Sequence, residues 1–463
     1  MDGSWGKNGA SLIACAALFG LNAPEAAAQA VPGGLNVTAD ILSSVTVDDN
    51  ADLDVDSAGT TTDFDTQLTL GLSGGSATNT FEAELGGSIA FEDRPEGEEE
   101  DNGFVDPFLR LRYGIEGPNN ELGLNVRVRE TTVRGSFFVD DDGDFIADDL
   151  ITDEGDLLDT RIGFDYSLGI DAPFGADLSY FIRDRDYTDT ADPDLFDRTT
   201  QQARVDLRFQ LSPLATASLI GAWREYDAED GVETDRTTTS VGVGLAFEFT
   251  PVLLLEGEVL SNEYETEELG VVTEDDDELT GFLRLTRELP NGDVRFEARS
   301  DAATSIQRTT LRVDRRFSTP GADLGFGVGF SDSSDGDSTF LAGFDFERDL
   351  PLGVFTANLD QRAVINDEEE QVLRTLFSLG LTREFGASLA LDVGLSVVDV
   401  QDIGNGDATE RTRTEFQIGL RRQIFETWDW TVAYRARFED EEDLDTAESN
   451  AFITTLGRSF SLR

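Results

Sequence analysis

From Gly34 onward, apolar residues stand at every second position of one stretch after another, and this period constrains the fold more than any other feature of the chain. Val205, Leu207, Phe209 and Leu211 alternate with Arg204, Asp206, Arg208 and Gln210, while Ile162, Phe164, Tyr166 and Leu168 alternate with Arg161, Gly163, Asp165 and Ser167. Val241 to Phe249, Phe416 to Leu420 and Trp428 to Phe438 repeat the pattern. A period of two puts successive side chains on opposite faces of a β-strand, so every strand has one apolar and one polar face. The 3.6-residue period of an amphipathic helix is absent, and the chain reads as all-β.

The connections sort into two kinds that alternate along the chain. Short ones carry Gly or Pro, as at Gly117-Pro118, Ser212-Pro213, Pro290-Asn291-Gly292, Pro320-Gly321 and Pro351-Leu352-Gly353. Long ones are polar and acidic, as at Asp48 to Thr61, Glu92 to Gly103, Arg134 to Asp156, Glu263 to Asp277 and Glu439 to Ser449. Ten short turns predict about 22 strands (range 18–22), an even number with both ends on the short-turn side. Strands of about 10 residues, short turns on one side and long loops on the other describe a single antiparallel up-and-down transmembrane β-barrel. Closure satisfies every backbone group in lipid, which an open sheet cannot do. A soluble sandwich or solenoid, the competing reading, would not sort its connections so regularly.

Composition then removes most other functions. There is no histidine, Cys15 is the one cysteine, and Lys7 is the one lysine beside the arginines. Disulfide frameworks, zinc and haem ligation, and Ser-His or Cys-His nucleophiles cannot be built from such a set, so an enzyme is not expected. A formal charge of -59 repels phosphate backbones and excludes nucleic acid as a partner. Residues 1–30 read as a secretory signal peptide: Lys7, the apolar run Leu12 to Leu21, and a small-residue site at Ala28-Gln29-Ala30. The run is shorter than the roughly 20 residues a membrane helix needs. Residues 31–463 are then expected to form the barrel alone, without a plug domain, because the strand period begins near Leu35.

The aromatic residues near the short turns, Tyr113, Phe249, Phe317, Phe385, Trp428 and Phe460, suit an interfacial girdle. With these in place, residues 31–463 resemble the porin-type outer-membrane barrels of diderm bacteria. The segment 449–463, with Phe460 three residues before the end, is similar to the C-terminal strand through which such barrels meet the barrel-assembly machinery. The resemblance implies the cell outer membrane as location, with lipid and lipopolysaccharide as surroundings. By position it also implies that the third long loop, 134–156, folds inward as a constriction; an exposed surface loop is the competing reading.

Arg110, Arg112, Arg127, Arg129, Arg204, Arg208, Arg295, Arg299, Arg312, Arg316, Arg413, Arg421, Arg435 and Arg437 occupy the polar faces, with Glu82, Glu84, Asp206, Glu297, Asp314 and Glu415 among them. Charges on the lipid side would cost about 2–4 kcal/mol each at mid-membrane, so this face is expected to line a wet lumen. The expected function is a porin-like channel for passive diffusion of ions and small hydrophilic solutes, cation-preferring at its acidic mouth. An export conduit for exopolysaccharide and a structural or adhesive surface barrel are the alternatives. No cofactor is expected; loop 134–156 reads either as a solvated acidic loop or as a calcium site. There Asp140, Asp142, Asp144 and Asp148 resemble the aspartate spacing of thrombospondin type 3 calcium loops and supply hard oxygen ligands.

Overall fold

The computed structural model describes residues 34–95, 102–133, 137–139, 145–150, 155–190, 195–303, 306–334, 336, 338–365, 371–386, 388–404, 410–425, 427–441 and 444–462. The signal-peptide reading of residues 1–30 falls outside them. The first strands are β1 (Leu35–Asp48), β2 (Thr61–Gly75), β3 (Asn79–Asp93), β4 (Gly103–Glu116), β5 (Asn120–Val133), β6 (Phe137–Val139), β7 (Phe145–Leu150) and β8 (Gly155–Leu168). Next come β9 (Phe174–Thr188), β10 (Arg198–Ser212), β11 (Ala215–Ala228), β12 (Thr234–Thr250), β13 (Leu253–Glu268), β14 (Val271–Leu289), β15 (Gly292–Ala303) and β16 (Ile306–Thr319). The last are β17 (Ala322–Ser333), β18 (Thr339–Leu350), β19 (Gly353–Ile365), β20 (Gln371–Glu384), β21 (Leu389–Asp402), β22 (Arg411–Phe425), β23 (Trp428–Glu441) and β24 (Ala447–Leu462).

Twenty-two of these strands form one antiparallel sheet, each paired with its neighbour in the chain, and β1 pairs with β24 to close it. The small β6–β7 hairpin stands apart as a sheet of its own within the third long connection. The described residues contain no helix. All ten short turns lie on one side, with the ends at Leu35 and Leu462. The structure thus has the all-β, even-stranded barrel that the alternation predicts.

Contacts between strands that are not neighbours identify the concave face. Arg204 of β10 reaches over β11 and β12 to Glu258 of β13, with Nη2 2.8 Å from Oε2. Arg312 of β16 extends toward Asp360 of β19, 3.9 Å away, across Gly327 and Gly343. A Cβ on Gly343 would lie 2.4 Å from the Arg312 guanidinium, so the absence of a side chain keeps that path open. Such spans fit only inside the curve. The opposite face carries exposed Val243, Leu245, Val259, Leu283, Phe296, Leu311, Phe326 and Val328, far more apolar area than a water-facing wall tolerates.

One acidic connection differs from its sequence reading. Glu263 to Asp277 is paired strand nearly to its tip, and β13 and β14 join through Leu269 and Gly270 alone. Both hold positive φ, 51° and 70°, as a two-residue hairpin turn of the right twist requires. The glycine supplies one of these angles without strain, which allows the hairpin to run on past the apolar band.

Candidate anion site on the inner wall

Alternation fixes which side chains point inward, and strand pairing then decides which of them meet. In the arc β4–β5–β8–β9 the register sets Arg110 opposite Arg127, Arg127 opposite Arg161, and Arg161 opposite Arg183. One level nearer the long loops, Arg129 faces Asp159, Asp159 faces Arg185, and Arg185 faces Arg198 of β10. These two rows bring seven guanidinium groups onto one patch of wall, flanked by Glu84 and divided by Asp159. Glu84 lies 3.4 Å from Arg110, while Asp159 accepts from Nε of Arg183 at 2.9 Å and lies 3.7 Å from Arg185. Aromatic faces back the array: the guanidinium carbon of Arg110 is 5.4 Å from the Phe108 ring centre, and that of Arg161 is 5.5 Å from Phe181.

Beside the first row, the wall of β1 to β5 is hollowed into a recess of about 730 Å³. Arg110, Arg129 and Phe108 form its basic side, and Asp40, Asp63, Asp65, Glu92 and Asp106 the acidic side. A bulge in β4 shapes it: Gly86 pairs with Phe108 and Ser88 with Val105, so Asp106 and Pro107 together oppose Gly87. Asp106 has φ of 49° and its carboxylate accepts the Thr132 backbone N–H at 3.2 Å, which ties the bulge to β5.

The other sequence-selected residues also stand on the inner face, mostly in pairs. Glu82 is opposite Arg112, Arg295 opposite Asp314, and Arg316 opposite Asp293. Arg204 donates to Asp206 at 2.8 Å, Arg208 to Asp177 at 3.3 Å, Arg299 to Asp301 at 2.7 Å and Arg312 to Asp314 at 2.9 Å. Glu297 accepts from Arg284 at 2.8 Å, and Arg421 lies 3.7 Å from Asp392.

Arg413, Arg435, Arg437 and Glu415 belong to a separate group at the seam. Arg413 is locked onto Glu439 with 1% of its side chain exposed, and Glu415 is opposite Arg437. Asp48 accepts from Arg437 at 3.1 Å, from Arg435 at 3.4 Å and from the Ser449 hydroxyl at 2.7 Å. Arg437 also donates to the carbonyls of Asn50 and Ala51, and Asn50 donates to that of Glu448. The first long connection, 49–60, is therefore pinned against the inner face of β22–β24, with Leu53 buried at its turn and Asp52 paired to the buried Arg94. Sequence reasoning gave the inward-folding role to loop 134–156, most of which lies outside the described residues. Nothing in the composition of loop 49–60 set it apart. Its signal is the inner-face arginines of the last strands, whose partner is the first loop rather than the lumen.

At Asp48, burial alone would raise the carboxyl pKa, but Arg437, the Asn50 amide and Ser449 prevail and hold it below the ordinary value of 3.8. On the long-loop rim the balance is reversed. Asp227 faces Asp235, Asp235 faces Glu267, and Glu265 faces Asp275. Burial first, then Asp227 and Glu267, push Asp235 above 3.8; burial, then Asp184, Asp197 and Glu229, do the same to Asp186. As for calcium, Asp140, Asp142 and Asp144 lie outside the described residues, and of the four only Asp148 falls on a described element, β7. Among the described residues no group of three or more His, Cys, Asp or Glu side chains is arranged to hold a metal ion.

No protein-family model matches the chain, and no curated protein does. Solved structures do. The FrpB iron transporter from Neisseria meningitidis (F3-3 variant) superposes with a TM-score of 0.60 at 10% identity, covering 92% of this chain and 82% of that one. The ferric-catecholate import receptor Fiu from E. coli K12 gives 0.59 at 11%, covering 91% and 81%. The siderophore receptor PirA from Acinetobacter baumannii gives 0.58 at 9%, covering 93% and 81%. These likenesses correct the expectation of a porin-like passive channel. The barrels this one matches are named for transport and reception of iron complexes rather than for free diffusion, and they lend nothing to polysaccharide export or adhesion. The chain folds as a closed barrel of 22 antiparallel strands, the fold of Gram-negative outer-membrane receptor barrels.

Proposed function

We propose that this barrel is an import receptor for a bulky anionic solute, in the class of ferric chelates with aromatic ligands, and that the arginine rows of β4 to β10 are its binding surface. The register itself carries the reading. Like charges directly opposite on a sheet face cost stability, about 0.2–1 kcal/mol per pair, and the first row contains three such contacts in succession. A binding surface repays that cost when an anion with spread charge spans the row, since guanidinium groups favour multidentate, charge-assisted contacts. Phe108 and Phe181 add faces on which flat ligand rings can stack. The likeness to the ferric-catecholate import receptor and the siderophore receptor points to the same solute class.

The test is uptake of radiolabelled ferric tris-catecholate by diderm cells that lack their own receptors for it. Cells producing this barrel are expected to accumulate iron saturably. The Arg161→Gln/Arg183→Gln variant, present in the outer membrane at equal amount, is expected to need at least about tenfold more complex, as befits two lost charged hydrogen bonds. Accumulation that rises linearly with concentration and is equal in the variant would contradict the proposal.

A further inference from the structure

Six consecutive descending strands repeat one small pattern at their short-turn ends: Arg287 and Leu289 in β14, Arg315 and Phe317 in β16, Arg348 and Leu350 in β18, and then Arg383 and Phe385, Arg422 and Ile424, and Arg458 and Phe460 after them. Each arginine lies on the outward face. Their cross-strand partners are Val294 for Arg287 and Arg315, Phe355 for Arg348, Leu391 for Arg383 and Trp430 for Arg422, with Trp428 and Ile41 flanking Arg458. The five earlier descending strands bear Leu72, Tyr113, Tyr166, Phe209 and Phe247 at the matching outward position. The basic residues therefore occupy one arc of the rim, from β14 round to β24.

No ion pair holds any of the six among the described residues; Arg315, Arg383 and Arg458 lie on aromatic rings, and Arg315 also donates to the Asn291 side chain at 2.9 Å. Arg315 stacks 3.9 Å from the Phe317 ring centre and donates to the Asp293 carbonyl at 2.8 Å. Arg383 lies 5.6 Å from Phe385, and Arg458 lies 4.3 Å from Phe460 and 5.3 Å from Trp428. Arg287, Arg348, Arg383 and Arg422 are exposed. A cation on the lipid-facing surface is tolerated where its stem lies on apolar rings and its head reaches the headgroup layer. Guanidinium groups on every second strand recur about every 10 Å round the wall, a spacing that lets each meet a separate phosphate. The long acidic runs lie at the opposite, long-loop end, while at the short-turn end Glu288, Asp293, Asp323, Asp349 and Glu384 stand one position away, on the inward-facing phase of the strands.

We infer that this arc binds anionic phospholipid headgroups in the membrane leaflet on the short-turn side. Its chemistry is the lipid-facing counterpart of a polybasic surface, where each arginine favours an acidic over a zwitterionic lipid by up to about fivefold. The inference stands apart from the import reading, because it involves neither the lumen nor the rows of β4 to β10.

The folded barrel is reconstituted into phosphatidylcholine vesicles containing a small fraction of spin-labelled phosphatidylglycerol or spin-labelled phosphatidylcholine, and the immobilised fraction of each label is measured at low salt. The wild type is expected to immobilise the acidic label at least about twofold more than the zwitterionic one. In Arg287→Gln/Arg348→Gln/Arg383→Gln/Arg422→Gln the ratio is expected to fall toward one, and in the corresponding four-lysine variant to persist. Heat-dependent gel mobility reports folding of each variant. If the glutamine variant does not fold, the wild-type ratio and its decline as salt is raised decide alone. Equal immobilisation of both labels by the wild type, or preference for the acidic label unchanged in a folded glutamine variant, overturns the inference.

Discussion

Asp48 and Arg437 join the first strand to the twenty-third across the seam where β1 meets β24, and both are almost fully buried. Removing one partner of such a pair leaves the other charged and desolvated, a loss of about 3–5 kcal/mol. Asp48→Asn is accordingly expected to lower the urea midpoint of the folded barrel and to expose loop 49–60 to protease, and unchanged protection of that loop would count against the assignment. The sign of the pH effect follows from the depressed pKa of Asp48. Its contribution is present above 3.8 and is lost as pH falls through the lower folded value, so wild-type loop protection should fail only in strong acid. At this scale the sequence was half informative. Alternation placed Arg110, Arg127 and Arg129 on the inner face, but it did not align them with Arg161 and Arg183, because register belongs to pairs of strands and leaves no trace in either strand alone.

Among the elements, the protruding ends of β11 to β14 carry facing carboxylates with no cation between them in register. Asp235 in β12 has a raised pKa, so the relief it gives is fully present below 3.8 and is lost as pH rises through its folded value. Protection factors of the β11–β14 tips, exchange rates corrected for their intrinsic pH dependence, are expected to rise on acidification or added salt, in opposition to the seam, and protection factors indifferent to both would show that the repulsion is not felt. The β13–β14 hairpin adds a sharper test. Gly270→Ala places a side chain at φ of 70° and should cost about 1 kcal/mol, read as faster exchange confined to that hairpin. Acidity made Glu263 to Asp277 read as a loop, whereas pairing continued because polar strands need only neighbours and a tight turn, not a buried face. Nine of the ten short turns were legible because Gly or Pro marks them whatever surrounds them, the turn after Phe425 being the exception.

For the whole molecule, the charge of -59 had suggested a cation-selecting mouth, yet charge is distributed by address rather than spread evenly. Acid crowds the long-loop rim, arginine rows line part of the lumen, and a second set of arginines faces lipid at the short-turn end. A total cannot reveal that partition; only closure of the sheet does, by turning one face of every strand inward. Closure and strand number were readable from the alternation and the sorted connections, while the solute was not, since a single-sequence period carries no information about which inward residues become neighbours. Equilibrium binding of radiolabelled ferric tris-catecholate to the purified folded barrel tests the central claim most directly. Saturable binding that weakens at least about tenfold in Arg161→Gln/Arg183→Gln is the expected result. Absence of saturable binding, together with steady ion conductance of the unliganded barrel in planar bilayers, would contradict it.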